Sequence, residues 1–301
     1  MEVAEILTSA LRRCGLLPSA LTPETIALLK TNLWMLLANI RGINLWRIKR
    51  QLQGVYPNQA EYTLDAGTLD VTDILWRNPT RLGGTVATSN GGTIANLTDG
   101  DTETVTTQAG ANGNFSWDFG ADTTVNLVGL LSASTVTLTL TFETSPDNAA
   151  WTSIESLGAV AYTDSVWRWY EIDPARAARY FRVRASGGGT LSFREIFVCQ
   201  QWYETNMYRM NRDEYAQLPQ KRSSNSDVFQ YWLNRQLTPV AVLWPVPSTT
   251  FRLMNVFAHM QVEDVGALSN TLDIPSRWHE TIVSNLAFMS ILDIPGADLK
   301  R

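Results

Sequence analysis

The chain has 301 residues and a formal net charge of −5, with 45% hydrophobic and 18% charged residues, a globular composition that leaves room for two ordinary domains or one large one. No lysine-rich run is present, which argues against nucleic-acid binding through phosphate contacts. The longest apolar stretch, LWMLLANI, is too short for a bilayer, and two isolated cysteines, Cys14 and Cys199, form no disulfide framework.

The opening residues, MEVAEILTSALRR, do not have the form of a signal peptide, so folding in a cytoplasm is expected. The first fifty residues carry a helical pattern. Val3, Ile6, Leu7, Ala10, Leu11 and Cys14 recur at spacings of three and four and form one stripe. LTPETIALL opens a second helix, with Thr22 as N-cap, Pro23 at the first helical position and Glu24 in the first turn. Gly42 marks its end or a kink, and around it Arg41, Arg47, Lys49 and Arg50 form a positive cluster. This cluster reads either as a solvated helix end that complements the macrodipole or as a docking patch for an acidic partner.

From Glu61 the period changes to two. EYTLDAGTLDVTDILW predicts two short strands around a turn at Ala66 and Gly67, followed by a loop, RNPTRLGGTVATSNGG. NFSWDFG, VNLVGLLSA, VTLTLTFETS, VWRWYEI, RYFRVRAS and LSFREIFVC then read as strands separated by turns such as SPDNAAW and SGGGT. Six or more strands in about 110 residues, with no convincing helix, indicate an antiparallel β-sandwich or jelly roll.

After Cys199 the texture is mixed. NRDEYAQL predicts a short helix capped by Asn211, SDVFQYWLNRQL a helix or a strand, and PVAVLWPVP with FRLMNVFAHMQV a pair of strands. IPSRWHETIVSNLAFMSIL closes the chain as a helix starting near Ser276. The expected fold class is therefore α+β: a helical host domain with short antiparallel strands, residues 1–78 and 199–301, interrupted by an inserted all-β jelly-roll sandwich at 79–198. Charge follows the same division, since Thr80 to Cys199 holds 7 Arg, no Lys and 12 Asp plus Glu while the remainder balances. Insertions of this kind are tolerated at exposed hairpin tips when their own termini lie close together.

ANLTDGDTETVT, WDFG at Trp117 to Gly120, VGL at Val128 to Leu130, FETSPDNAAWTSI, ARYFRVRA and LSFREIFV come in an order that resembles the discoidin-like, galactose-binding-like β-sandwich, a family that includes many carbohydrate-binding modules. The resemblance implies a Ca2+ site in the inserted domain. Its candidate ligands are Asp99, Asp101, Thr104 and Glu195, with backbone carbonyls around Asn96 and Thr104 completing an oxygen shell. The alternative for the same stretch is a turn held by Asp99 hydrogen bonds.

Across 1–78 and 199–295, ILTSALRRCGLL, LLKTNLWMLLANIRGINLW, YTLDAGTLDVTDIL, the stretch from LPQKRSSNSDVFQYWLNRQL to the Pro-x-Pro turn WPVP, and LDIPSRWHETIVSNLAFMSIL resemble the head-to-tail adaptor, or head-completion, proteins of short-tailed phages. That resemblance implies a non-enzymatic virion protein at the neck, assembled in the host cytoplasm. Its copies would form a ring of twelve between the portal protein and the tail tube or nozzle protein, with no membrane contact. DNA would pass through the ring without specific binding, helped by a neutral to acidic lumen, and the sandwich would face outward. A closed ring needs two complementary faces per subunit. Trp202, Tyr203 and Trp244, large aromatics around turns and short strands, are candidate interface residues together with Arg41, Arg47, Lys49 and Arg50. The tail DIPGADLKR reads as an arm that orders on binding.

Catalysis has little in its favour. Only His259 and His279 are present, with no HExxH and no Gly-x-Ser-x-Gly elbow. Asp99 and Asp101 could serve a glycosidase, but in this loop type they face a metal or their own backbone. Trp151, Trp167, Trp169, Tyr170 and Tyr180 read either as a sugar-stacking platform or as core and edge packing. The alternative function is therefore a carbohydrate-binding protein acting through the sandwich, with a glycan as partner.

Overall fold

In the computed structural model, which describes residues 2–297 except 18, 20, 40–46, 90, 109–111, 187–189, 261–265, 273 and 275, four α-helices form: α1 (Val3–Arg13), α2 (Pro23–Asn39), α3 (Arg212–Gln217) and α4 (His279–Ser290). The strands are β1 (Arg47–Gly54), β2 (Glu61–Thr63), β3 (Thr68–Arg81), β4 (Thr85–Thr88), β5 (Thr106–Gln108), β6 (Asn114–Thr124), β7 (Leu127–Ser132), β8 (Val136–Ser145) and β9 (Thr152–Tyr162). They continue with β10 (Trp167–Glu171), β11 (Ala177–Ala185), β12 (Leu191–Asn206), β13 (Tyr208–Met210), β14 (Ser224–Asn225), β15 (Gln230–Asn234), β16 (Val240–Trp244), β17 (Val246–Pro247) and β18 (Leu253–Met260). Among the described residues no helix is long and apolar enough to cross a membrane.

The helices start where the sequence places their caps. Thr22 Oγ1 accepts the Thr25 N–H at 3.2 Å, and Asn211 Oδ1 accepts the Glu214 N–H at 2.8 Å. The apolar stripes of α1 and α2 meet α4 in one core, with Val3, Ile6, Leu7 and Leu11 against Leu29, Leu33, Ile282, Val283 and Leu286.

Beyond this cluster and the short α3, the regular structure of the described residues is mostly sheet, which overturns the expected helical host domain. Strands take 47% of the residues and helices 19%, and β1, β2, β13 and β15 to β18 all lie in the part read as host. The largest departure is β1, read from sequence as the positive end of a helix. It ladders along the whole of β18, from Arg47 opposite Met260 to Gly54 opposite Leu253. RIKRQLQG satisfies neither period strongly, so pairing with a distant strand decides its conformation. Alternation then splits the basic cluster, sending Lys49 and Arg50 to opposite faces; Arg41 lies outside the described residues, and only the backbone of Arg47 is described.

Two expected strand pairs also fail to form. β2 and β3 part at Gly67, which has a φ of 82°; β2 pairs with β16, while β3 runs between β18 and β12. β16 and β18 likewise join different sheets. The ambiguous SDVFQYWLNRQL contributes strand β15, and the expected loop after Trp76 holds the end of β3 and the whole of β4.

Among the described residues the strands form four sheets: a seven-stranded one ordered β1-β18-β3-β12-β7-β10 with β5 on β12, a five-stranded one ordered β4-β6-β11-β8-β9, a four-stranded one ordered β13-β15-β16-β2, and the pair β14-β17. The expected sandwich is present. Its five-stranded sheet packs on β7 and the first half of β12 around Phe115, Trp117, Phe142, Phe181, Phe193 and Ile196. The four-stranded sheet packs on β3 and β18 around Tyr62, Trp76, Tyr231, Leu243 and Val256. β3 and β12, with 14 and 16 residues, serve both layers as continuous strands, paired with each other from Leu75 opposite Asn206 to Arg81 opposite Cys199.

The seven-stranded sheet curls until its edge strands, β1 and β10, face each other across a seam. β7 is buried at every position because both its faces are covered: Val128 and Leu130 enter the sandwich core, while Leu127 and Leu131 join Trp167, Trp169, Phe197 and Leu253 on the concave side.

Candidate functional site

Side chains, not a backbone ladder, hold the seam together. The Trp167 N–H of β10 donates to Tyr56 Oη at 2.8 Å, Trp167 Nε1 donates to Thr250 Oγ1 at 2.7 Å, and Arg50 of β1 pairs with Glu171 of β10. Burial raises the Tyr56 phenol above its ordinary value despite the Trp167 N–H pulling the other way, so the hydroxyl stays neutral. The two indoles stack with centroids 5.0 Å apart and 24° between planes. Glycines make room for them: a Cβ on Gly54 would lie 2.7 Å from Trp167 Cβ and 2.9 Å from Trp169 Nε1, and one on Gly129 would lie 2.6 Å from the Trp169 ring.

A groove of about 670 Å³ follows this seam, lined by Gln51, Gln53, Gln59, Asp65, Arg168 and Tyr170 beside Trp167 and Trp169. Trp169 Nε1 is buried and carries no hydrogen-bond partner. Trp167 and Trp169 are themselves buried, so the groove presents amide and charged groups beside the partly exposed rings of Tyr56 and Tyr170, a composition suited to a ligand that is polar at its edges and apolar on its faces.

The Asp99 loop is a second constellation. Asp99 Oδ1 accepts the Asp101 N–H at 2.9 Å and Oδ2 accepts the Thr104 hydroxyl at 3.0 Å, while Asp101 Oδ1 accepts the Glu103 N–H at 2.9 Å. Glu195, fully buried, accepts the Gly100 N–H through Oε1 at 2.5 Å and Arg81 Nη2 through Oε2 at 2.8 Å. Burial pushes Glu195 up to about 7, against the pull of Arg81 and the Gly100 N–H. Arg81 Nη1 donates to the Thr98 carbonyl at 2.8 Å. Among the described residues no group of three or more His, Cys, Asp or Glu side chains is arranged to hold a metal ion. Both carboxylate oxygens of Asp99 and of Glu195, and Asp101 Oδ1, already accept N–H or O–H donors, and a guanidinium stands among them, an arrangement that does not fit that ion.

No protein-family model matches this chain, and no curated protein matches it. Solved structures match over part of it. The CBM32 of AlyQ in complex with 4,5-unsaturated mannuronic acid is 22% identical, covering 40% of this chain and 99% of that chain with a TM-score of 0.36. CpGH89CBM32-6 of Clostridium perfringens is 16% identical, covering 39% and 93% with a TM-score of 0.36. Chitosan-binding module 1 of a chitosanase/glucanase from Paenibacillus sp. IK-5 is 23% identical, covering 39% and 96% with a TM-score of 0.34. Part of the chain is similar to carbohydrate-binding modules. These comparisons give the expected portal, tail and ring partners no support.

The remaining sequence candidates are dispersed. Lys49 pairs with Asp65 at 2.7 Å. Trp202 lies under the Arg77 guanidinium at 4.4 Å. Trp244 meets Phe229 edge-on at 6.0 Å and donates Nε1 to the Gln220 carbonyl at 3.0 Å, while Tyr203 is exposed. The five aromatics read as a platform do not form one: Trp151 carries Arg182 at 4.1 Å and Tyr180 carries Arg179 at 5.0 Å, away from the Trp167–Trp169 stack. Sequence reading missed Tyr56 and the three glutamines of the groove. RIKRQLQG carries too little contrast for the sequence to have shown Gln51 and Gln53.

Proposed function

We propose that the protein binds carbohydrate, and that the ligand lies in the seam groove between β1 and β10. The observation that carries this reading is the composition of the groove wall, where Gln53, Gln59, Asp65 and Arg168 stand beside the partly exposed rings of Tyr56 and Tyr170. Sugar hydroxyls pair with amide, carboxylate and guanidinium groups, and the C–H face of a pyranose packs on an aromatic ring. The reading is of binding without turnover.

A glycan array probed with the full chain, followed by calorimetric titration of the retained sugars, tests it. Gln53→Ala and Arg168→Ala each remove a polar wall group and are expected to weaken binding about tenfold. An array that retains no glycan, or binding that both substitutions leave unchanged, would overturn the assignment.

A further inference from the structure

We propose that Arg81 is the resident cation of the Asp99 loop, and that this loop keeps its shape without calcium. The inference is independent of the carbohydrate reading. Ca2+ requires six to eight oxygen ligands at about 2.3–2.6 Å. Here the carboxylate of Glu195, a candidate ligand, and the neighbouring Thr98 carbonyl are each held at 2.8 Å by one terminal nitrogen of the same guanidinium. The other Glu195 oxygen takes the Gly100 N–H, and both Asp99 oxygens are satisfied inside the loop. A dication placed among these groups would meet a fixed positive charge and would have to displace donors already in place.

Arg81 is held in position from outside the loop. It is the last residue of β3, opposite Cys199 of β12, and its guanidinium carbon lies 4.7 Å from the Phe197 centroid and 5.1 Å from that of Phe251. Phe251 comes from the turn before β18, beyond the sandwich. A tethered guanidinium differs from a dissolved ion in one respect that matters: its occupancy does not depend on concentration. Through its hydrogen bond to the Thr98 carbonyl it also ties the loop to a strand shared by the sandwich and the four-stranded layer.

The test is thermal melting and calcium calorimetry on the full chain. Wild type is expected to melt at the same temperature in excess EDTA and in millimolar calcium, with no saturable heat of calcium binding. Arg81→Met, which keeps the stem and removes the charge, is expected to melt about 5 °C or more below wild type in EDTA. Calcium that raises the wild-type melting temperature by about 5 °C, as a site filled at a hundredfold excess over its dissociation constant would, overturns the proposal. So does an Arg81→Met variant that melts with wild type. Should that variant fail to fold, the wild-type calcium titration alone still decides.

Discussion

The buried guanidinium of Arg77 on β3 pairs with the carboxylate of Glu171 on β10, although β12 and β7 stand between those strands in the sheet. The contact exists because the seven-stranded sheet curls, bringing its concave side chains across to one another. Arg77 is 2% exposed. It also holds Glu204 at 2.6 Å, while Arg50 reaches Glu171 from β1 and Asn255 donates to Glu204 at 3.0 Å. One end of the concave face is thus a polar network, and the other is the apolar cluster around Trp169.

Removing Arg77 takes a buried guanidinium from two half-buried carboxylates, leaving Glu171 with Arg50 and Glu204 with Asn255 alone. Arg77→Met is expected to cost about 3 kcal/mol, read as a lower urea midpoint at unchanged slope. A midpoint within error of wild type would show that the network contributes nothing to holding the curl.

Glu143 gives the pH dependence. Burial alone would raise it, but hydrogen bonds from Arg184 and Arg182 outweigh burial and hold its carboxyl below the usual glutamate value. A folded value below the unfolded one contributes stability that is present above the unfolded value and lost as pH falls through the folded one. The stability difference between wild type and Glu143→Gln should therefore be largest near neutral pH and shrink as pH drops below 4.5. Parallel melts of the two proteins across that range check it, and a difference that grows on acidification would contradict the sign.

The glycine slot around Trp169 predicts a steep steric penalty. Gly129→Ala places a methyl 2.6 Å from the indole and should cost about 1–3 kcal/mol, with a shift in tryptophan fluorescence. Gly83, where an added Cβ meets nothing within 4 Å, supplies the control: Gly83→Ala should melt with wild type.

The two thiols should be inert in the folded protein. Burial pushes Cys199 up to about 11, its Sγ donates to the Gln201 carbonyl at 2.9 Å, and burial likewise raises Cys14. Thiolate is the reactive form, so neither should label at neutral pH until its own core opens. Cys14 sits in the helical core and Cys199 on the concave face, so mass spectrometry of labelled peptides along a urea series reads the two cores separately. Rapid labelling of Cys199 without denaturant would mean that the seam opens in the native state.

Local chemistry was legible in the sequence. Spacings of three and four specified α1 and α2, cap residues placed the starts of α2 and α3, and alternation with turn chemistry located β6, β7, β8, β10, β11 and β12. The Asp99 turn was one of two readings the sequence left open, and its bonds span only two to five residues. β9 was not announced; it is an edge strand with many exposed positions, and its pattern carries little contrast.

Only the tertiary structure decided that β1 is a strand, that β2 and β3 belong to different sheets, and that a groove lies between β1 and β10. The reason is range. Arg77 meets Glu171 over 94 residues and Arg81 meets Glu195 over 114. Strand preference is largely packing against such distant neighbours. A sequence lists its donors, acceptors and apolar faces; which of them meet depends on how far the sheet curls.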